Sequence, residues 1–333
     1  MATIKDVARM SGAGIATVSR VINNNGYVSE ETRQRIQKAI DESGYRPNVS
    51  ARMMRNGRSN LIGILVPSIK VDFFSRLVYR LEKALFDQGY QTLICSTGEN
   101  LVHEHQYIEM LLAQQVDGVM VASVSSNIDA FEKLVNANIP VLALDRDLEG
   151  MDVTLVSCDH LAGGRTAAQH LIDLGHTQIS VVGAPKQSEP IKQRLAGVQQ
   201  ACKASGLDNP ENVLGSDHSV QGCAELALQV LNRKQRPSAV VGTSDIAAIG
   251  ILHAARAANL GVPSELSVTG FDDTPMAAHV FPALTTIAQP IDQLAEEAIS
   301  ALVARIKTPD MAVQSNIILP CSLSLRQSTA AAR

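Results

Sequence analysis

The chain has 333 residues, of which 45% are hydrophobic and only 3% aromatic, and it carries a formal net charge of −4. Because single hydrophobic cores stop growing near about 250 residues, this length favours a small module attached to a body of two lobes. No apolar run approaches the roughly 20 residues of a membrane span, and the first ten residues lack the apolar stretch of a signal peptide. We therefore expect a cytoplasmic protein that makes no membrane contact.

The charge is distributed unevenly along the chain. Residues 1–58 contain ten Lys or Arg against five Asp or Glu, a net of +5, which leaves −9 on the other 275 residues. A basic segment joined to an acidic body is typical of a DNA-binding module attached to a part that does not bind DNA.

Three short helical patterns occupy the first 45 residues. Apolar residues recur at helical spacing over residues 4–10 and 15–23, and Gly12 and Gly14 break the pattern between them as a tight turn requires. A third pattern begins after the N-cap residue Ser29 and ends at Gly44. Two short helices joined through glycine predict a helix-turn-helix, whose second helix enters the major groove of DNA.

Four segments of this head carry a recognisable pattern: TIKDVAR at 3–9, ATVSRVIN at 16–23, VSEETR at 28–33 and GYRPN at 44–48. Together they resemble the LacI/GalR family of bacterial transcriptional repressors. The alternative is a generic three-helix cap without a role in DNA binding. The resemblance implies a homodimer that binds a pseudo-palindromic operator, since a two-fold dimer presents two recognition helices.

The resemblance also assigns roles to individual residues of the head. Ile15, Ala16 and Arg20 match the base-reading positions of the family, where apolar side chains contact thymine methyls and an arginine donates to guanine. Contact of Arg20 with a phosphate is the alternative. The residues expected to bind phosphates are Thr3, Thr17, Ser19 and Asn23. Gly14 replaces the hydroxyl N-cap that the family usually has before its recognition helix.

The linker after the head, residues 48–59, has the composition of a helix too short to be stable alone in water. In the family the corresponding hinge helices fold on DNA and wedge an apolar side chain into the minor groove. Met54 is at that position here, and the alternative is that Met53 and Met54 pack against the body.

From residue 61 onward, short apolar runs alternate with amphipathic stretches, which predicts doubly wound parallel sheets. The predicted strands are 61–66, 92–96, 118–122, 141–144, 179–183, 239–242 and 267–271. The predicted crossover helices include 74–88, 162–174, 194–205, 246–258 and 291–307.

Chemistry-bearing motifs are missing from these elements. Neither G-x-G-x-x-G nor G-x-x-x-x-G-K-[ST] follows a predicted strand, and no catalytic constellation or metal-spaced cluster is found. The five cysteines are odd in number and lack a C-x-x-C pair, so they are interpreted as buried thiols. We expect no enzyme activity, no cofactor and no metal.

Family signatures continue through the body, at residues 115–118, 174–176, 194–197, 270–274 and 282–290. They imply an α/β fold with two Rossmann-like lobes of the periplasmic-binding-protein-like type I class, behind the all-α head. The implied domains are the head at 1–47, the hinge at 48–59, one lobe at 60–158 and 289–320, and the other at 159–288 and 321–333. The chain is expected to cross between lobes near residues 158, 288 and 320.

Ligands of open α/β sheets collect at the carboxyl ends of the strands, which predicts an effector site between the lobes. Carboxylates and a guanidinium there would suit bidentate bonding to vicinal hydroxyls. The candidate residues are Phe73, Phe74, Asp145, Lys192, Arg194, Asp217, Ser244 and Asp272. The alternatives are core packing for the two rings and an interlobe structural salt bridge for Arg194 and Asp272.

A departure from the family within the site limits the class of effector. Asp217 is at a position where purine-binding members have an aromatic stacker, so a hypoxanthine-like base is not expected. A small sugar or a nucleoside, such as one built on a pentose, is the predicted effector. Control by a protein partner, a solute-binding protein and an α/β enzyme are the competing classes; the last two lack support from an export signal or a catalytic motif.

Overall fold

The computed structural model describes residues 2–22, 25–45, 58–122, 129–148, 150–151, 153–216, 218–309 and 316–333. The chain divides into two compact units, Met1–Asn60 and Leu61–Arg333. The head lies within the first unit, and we call the second unit the body.

The described residues of the head form three helices: α1 (Ile4–Ser11), α2 (Ile15–Ile22) and α3 (Glu30–Ser43). Its small core is built from one apolar face of each helix, and the fully buried members are Val7, Val18, Val21, Ile36 and Ala39. Thr3 and Asp6 form a capping box at the start of α1, and Gly12 ends that helix in the left-handed conformation. The helix-turn-helix predicted from the sequence is confirmed.

The first lobe of the body is a six-stranded sheet of parallel strands in the order β11-β5-β4-β3-β1-β2. Its strands are β1 (Leu61–Val66), β2 (Gln91–Ser96), β3 (Gly118–Val121), β4 (Val141–Leu144), β5 (Thr154–Cys158) and β11 (Ile317–Leu319). Its helices are α4 (Asp72–Asp87), α5 (Leu101–Ala113), α6 (Asp129–Asn136) and α12 (Ile291–Lys307). Apolar clusters on both faces of the sheet make it a buried layer, as parallel sheets require.

The second lobe is a six-stranded sheet in the order β12-β10-β9-β8-β6-β7, in which only β12 runs antiparallel to its neighbour. Its strands are β6 (Ile179–Gly183), β7 (Glu211–Leu214), β8 (Ala239–Gly242), β9 (Ser267–Asp272), β10 (Thr285–Ala288) and β12 (Ser322–Ser324). Its helices are α7 (His160–Asp173), α8 (Glu189–Ala204), α9 (Val220–Leu231), α10 (Asp245–Ala257) and α11 (Pro275–His279).

The chain passes between the two sheets three times. It leaves the first sheet after β5, returns from β10 to α12, and crosses again between β11 and β12. The two lobes are therefore joined by three connecting segments.

Helices α7 and α8 approach each other so closely that glycine is required at their contact. A Cβ added to Gly164 would collide with the carbonyl oxygen of Arg194, and one added to Gly197 would collide with the carbonyl oxygen of Leu161. The backbone position of Arg194 is thus set by direct contact with the neighbouring helix.

The predicted fold class is confirmed, and each predicted strand is present with its ends shifted by at most one residue. The strands that the sequence analysis missed are β5, β7, β10, β11 and β12, which are short or contain polar residues. In the described part of the chain, every helix is too short or too polar to cross a lipid bilayer.

Candidate functional site

A cleft lies between the carboxyl ends of the strands of the two lobes. The space between its walls, counted together with its open mouth, is about 710 Å³. The first lobe contributes Pro67, Val71, Phe73, Phe74, Glu99, Ala122, Leu144, Asp145 and Arg146. The second contributes Pro185, Ser188, Glu189, Pro190, Ile191, Arg194, His218, Ser244 and Asp272.

Two aromatic rings form part of the apolar wall on the first lobe. Phe73 and Phe74 begin α4, and their ring centroids are 5.1 Å apart in an edge-to-face arrangement. Phe73 belongs to the core of the first lobe and Phe74 packs against that core. The rings therefore line the cleft and pack in the core at once, so the two interpretations made from the sequence are compatible.

Asp145 follows β4 and projects its carboxylate into the interlobe region. Its φ of 62° is in the left-handed region that non-glycine residues seldom adopt, and such strain is typical of functional positions. Asp145 Oδ1 lies 2.7 Å from Nε2 of His160, the first residue of α7. A residue of the first lobe is thereby bonded to a helix of the second.

Arg194 is a buried cation of the cleft that donates three hydrogen bonds. Its Nη1 donates to the Thr243 carbonyl at 2.7 Å and to Asp272 Oδ1 at 3.3 Å, while Nε donates to His160 Nδ1 at 3.3 Å. The salt bridge with Asp272 exists, but both partners belong to the second lobe, so it is not the interlobe bridge considered from the sequence.

Asp272 ends β9 and is buried beside a second carboxylate, Asp245. Burial raises the pKa of Asp272, and the nearby Arg194 charge acts in the opposite direction. Burial, followed by the charge of Asp272, raises the pKa of Asp245 to about 7. Gln289, on the connection from β10 to α12, donates from Nε2 to Asp272 Oδ1 at 2.7 Å. Its Oε1 has no hydrogen-bond partner among the described residues.

Ser244 lies at the start of α10, where its hydroxyl caps the helix by accepting from Ala247 N. The same hydroxyl is 3.1 Å from His218 Nε2, and both side chains line the cleft. Ser244 is therefore presented on the second-lobe wall, with a histidine that the sequence analysis had not singled out.

Two cysteines meet beside this site. The thiols of Cys158, which ends β5, and Cys321, which lies between β11 and β12, lie close to each other. That contact raises the pKa of Cys158 and lowers the pKa of Cys321. Both thiols are on segments that connect the lobes.

Lys192 does not line the cleft, although the sequence analysis assigned it there. Its ammonium is 3.2 Å from Glu189 Oε2 on the exposed side of α8. Residues two apart on a helix point about 200° from each other, so Lys192 and Arg194 face different directions. Three other predicted residues, Asn23, Met54 and Asp217, lie outside the described part of the chain.

Several site residues were missed from the sequence. Arg146 and Gln289 adjoin or fall within segments already singled out, and attention to their charge or amide group would have found them. Glu99 follows the predicted strand 92–96 by three residues but was not singled out. Ile191 and His218 follow no predicted strand end. His160 was missed because β5, the strand before it, was not predicted.

The head presents a separate surface on α2. Ile15, Ala16 and Arg20 are exposed, and Thr17 and Ser19 are half-buried. Thr3 is exposed as well, while its hydroxyl bonds Asp6 within the capping box. The opposite face of α2 is held in the core by Val18 and Val21, so the exposed residues are fixed in direction.

Comparison with known proteins decides the family. A model of bacterial regulatory proteins of the lacI family matches residues 3–48, and a periplasmic-binding-protein-like domain matches residues 168–329. The HTH-type transcriptional regulator DegA of Bacillus subtilis (strain 168) is 34% identical over 98% of each chain. The chain belongs to the lacI family.

Other members of the lacI family extend the similarity. The ribose operon repressor of Escherichia coli (strain K12) is 34% identical over 96% of this chain and 98% of its own. The lac repressor dimer bound to operator and an anti-inducer has a TM-score of 0.87 at 29% identity over 99% of both chains. A lacI-family regulator from Enterococcus faecium with bound ribose has a TM-score of 0.75 at 28% identity, over 82% of this chain and 100% of that one.

Proposed function

We propose that this lacI-family regulator represses transcription in the cytoplasm, and that a homodimer binds a pseudo-palindromic operator under the control of a small sugar or nucleoside. The observation that carries this proposal is the cleft in which Asp145, Arg194 and Asp272 converge beside the Phe73 and Phe74 rings. In this scheme, residues 1–47 bind DNA and residues 48–59 are the hinge. Residues 60–158 with 289–320, and 159–288 with 321–333, are the lobes that hold the effector.

The composition of the cleft supports an uncharged, hydroxyl-rich effector. Carboxylates outnumber guanidinium groups along its walls, which disfavours a phosphorylated ligand because like charges repel. Carboxylate and guanidinium groups bond vicinal hydroxyls in pairs, and an aromatic wall covers the apolar face of a sugar ring. Ribose in a structural neighbour and a ribose operon repressor among the relatives support a pentose.

The exposed face of α2 supports operator reading. Ile15 and Ala16 offer apolar contact to thymine methyls, and Arg20 offers a planar donor pair to guanine O6 and N7. Thr3, Thr17, Ser19 and Asn23 are proposed to bind phosphates and fix the position of the helix. Met54 is proposed as the minor-groove wedge of the hinge.

Exposed aromatic side chains on the body support a homodimer. Tyr79 and Phe86 are seven residues apart on one face of α4, and they are 59% and 66% exposed. Phe281, in the second lobe, is 93% exposed. Aromatic residues are enriched at protein interfaces relative to the rest of the surface.

A calorimetric titration of the full-length protein against monosaccharides and nucleosides, with D-ribose included, tests the effector site. We expect binding by one sugar or nucleoside, together with a changed affinity for operator DNA. Arg194→Ala should abolish that binding. Lys203→Ala, which removes an exposed cation from the last turn of the same helix, should leave it unchanged. A lack of binding across the whole panel would contradict the effector and favour control by a protein partner.

Operator binding is tested by selecting bound sites from genomic DNA and measuring their affinity by gel shift. Arg20→Ala should weaken binding by about 1–3 kcal/mol and relax the preference at one base pair of each half-site. Lys38→Ala, which removes an exposed cation from α3, should preserve that preference. Equal binding of all sequences by the wild type would contradict a sequence-specific regulator.

A further inference from the structure

One buried side chain contacts a cleft residue from each lobe without lining the cleft itself. His160 is 1% exposed and begins α7, directly after the first connection between the lobes. Its Nε2 is 2.7 Å from Asp145 Oδ1, and its Nδ1 accepts from Arg194 Nε at 3.3 Å. Because Nδ1 is the acceptor, these partners assign the ring proton to Nε2, which donates to the Asp145 carboxylate.

The two partners of His160 come from different lobes. Asp145 follows β4 of the first sheet, and Arg194 lies on α8, which packs on α7 in the second lobe. Both line the cleft, whereas His160 is behind them. The imidazole thus connects an acid on one wall to a cation on the other.

The bonded chain continues beyond Arg194 to another connection between the lobes. Arg194 donates to Asp272, and Asp272 accepts from Gln289, which lies between β10 and α12. The network therefore includes His160, next to one interlobe connection, and Gln289, on another. Hydrogen bonds in such a buried setting are strong, and loss of one partner leaves a desolvated charge without compensation.

A second buried histidine, His176, has hydrogen-bond partners in one lobe alone. His176 is 4% exposed, and its ring nitrogens bond Ser238 Oγ at 2.8 Å, Ser267 Oγ at 3.0 Å and the Ala330 carbonyl at 3.0 Å. All of these partners belong to the second lobe. His176 therefore provides a control for the loss of a buried, fully bonded imidazole that does not join the lobes.

We propose that His160 is a positioning residue that holds Asp145 and Arg194 at a fixed separation, so that the effector meets them as one preformed pair. This inference rests on the effector function proposed above for the cleft. The residue contacts no ligand itself, and its effect on binding is transmitted through the two side chains that it joins. A preformed pair raises affinity because the ordering cost is not incurred on binding.

The test compares His160→Leu and His160→Gln with His176→Leu in the full-length protein, with D-ribose as the probe. Leucine removes both bonds of His160, whereas glutamine retains a donor toward Asp145. His160→Leu should raise the Kd for D-ribose roughly ten- to a hundredfold, and His160→Gln should recover at least part of that loss. His176→Leu should lower the melting temperature without changing the Kd.

A readout without ligand separates this inference from the proposed effector. Amide hydrogen exchange at residues 145–148 should become faster in His160→Leu and remain at the wild-type rate in His176→Leu. If the wild type binds no sugar or nucleoside, the effector proposal fails and the exchange experiment alone decides the role of His160. Unchanged exchange at residues 145–148 in His160→Leu, or an equal rise of Kd in His160→Leu and His176→Leu, would overturn the inference.

Discussion

The guanidinium carbon of Arg194 lies 3.7 Å from the centroid of the Phe271 ring. A guanidinium is more weakly hydrated than an ammonium, so it can leave water and stack on an aromatic face. The Phe271 ring thus stacks on one face of the guanidinium. His160, Thr243 and Asp272 accept the hydrogen bonds that the guanidinium donates.

Phe271→Leu should therefore weaken effector binding as well as stability. The substitution keeps an apolar side chain in the core but removes the π face under Arg194, and desolvated cation–π contacts contribute about 2 kcal/mol. We expect a Kd for the effector about tenfold higher in calorimetry. The matched control is Phe131→Leu, a fully buried ring in the core of the first lobe, which should lower stability alone. Equal effects of both variants on the Kd would argue against the stack.

Asp245 should make the stability of the body depend on pH. Because burial and the Asp272 charge raise the pKa of Asp245 to about 7 in the folded state, the folded protein binds a proton that the unfolded chain has already lost. This contribution is present below the unfolded pKa near 3.8 and is lost as pH rises toward 7. Its slope is on the order of 1 kcal/mol per pH unit between these values.

The variant Asp245→Asn tests this dependence. The amide can accept from Thr274 N and donate to Thr286 Oγ1, where the carboxylate now accepts from both. In urea unfolding, the stability of the variant relative to the wild type should increase as pH rises from 4 to 7. A difference that stays constant across this range would show that Asp245 ionises normally.

Cys158 and Cys321 should form a disulfide on mild oxidation. Hydrogen peroxide would convert the partly exposed Cys321 thiolate to a sulfenic acid, and Cys158 would displace water from it, for a total of two thiols and one peroxide giving one disulfide and two waters. Cys95, whose pKa burial raises to about 11, should stay reduced. Peptide mass spectrometry should find the 158–321 crosslink in the wild type and lose it in Cys321→Ser. Oxidation of Cys95 at the same rate would contradict this selectivity.

Gly164→Ala should destabilise the second lobe by roughly 1–3 kcal/mol, because the added methyl group collides with the backbone of α8 and the helices must separate. Thr166→Ala, at an exposed position on the same helix, is the control. Thermal unfolding of the two variants gives the comparison, and similar melting temperatures would mean that α8 can move aside without cost.

The sequence predicted those parts of the fold that depend on local pattern. Helix α12 has the predicted bounds, 291–307, because its amphipathic period is long and uninterrupted. Strand β5 was not predicted because Thr154 and Ser157 interrupt its apolar run, although both residues are buried. Lys192 was assigned to the cleft because the helix was predicted to begin at residue 194, whereas α8 begins at Glu189 and directs Lys192 outward.

Contacts between residues that are far apart in the sequence could not be predicted from local sequence patterns. Arg194 and Asp272 could be assigned to one site, because each follows a strand end or opens a helix at the same edge. The contact of Cys158 with Cys321 depends on how β5 and β11 pair, and β11 had no recognisable pattern. The bonds of His160 likewise depend on the lobes meeting, which no local property of the chain encodes.

Because α7 and α8 approach each other closely, some positions of the cleft can be changed by mutation and others cannot. Arg194 owes its location to backbone contacts at Gly164 and Gly197, so mutation of nearby side chains cannot easily shift it. Phe74 and His218 lie outside this helix pair. Directed evolution toward a new effector should therefore accumulate changes at these two positions and retain both glycines. A biosensor built on this protein could therefore be adapted to ligands of different shape while Arg194 continues to bind each of them.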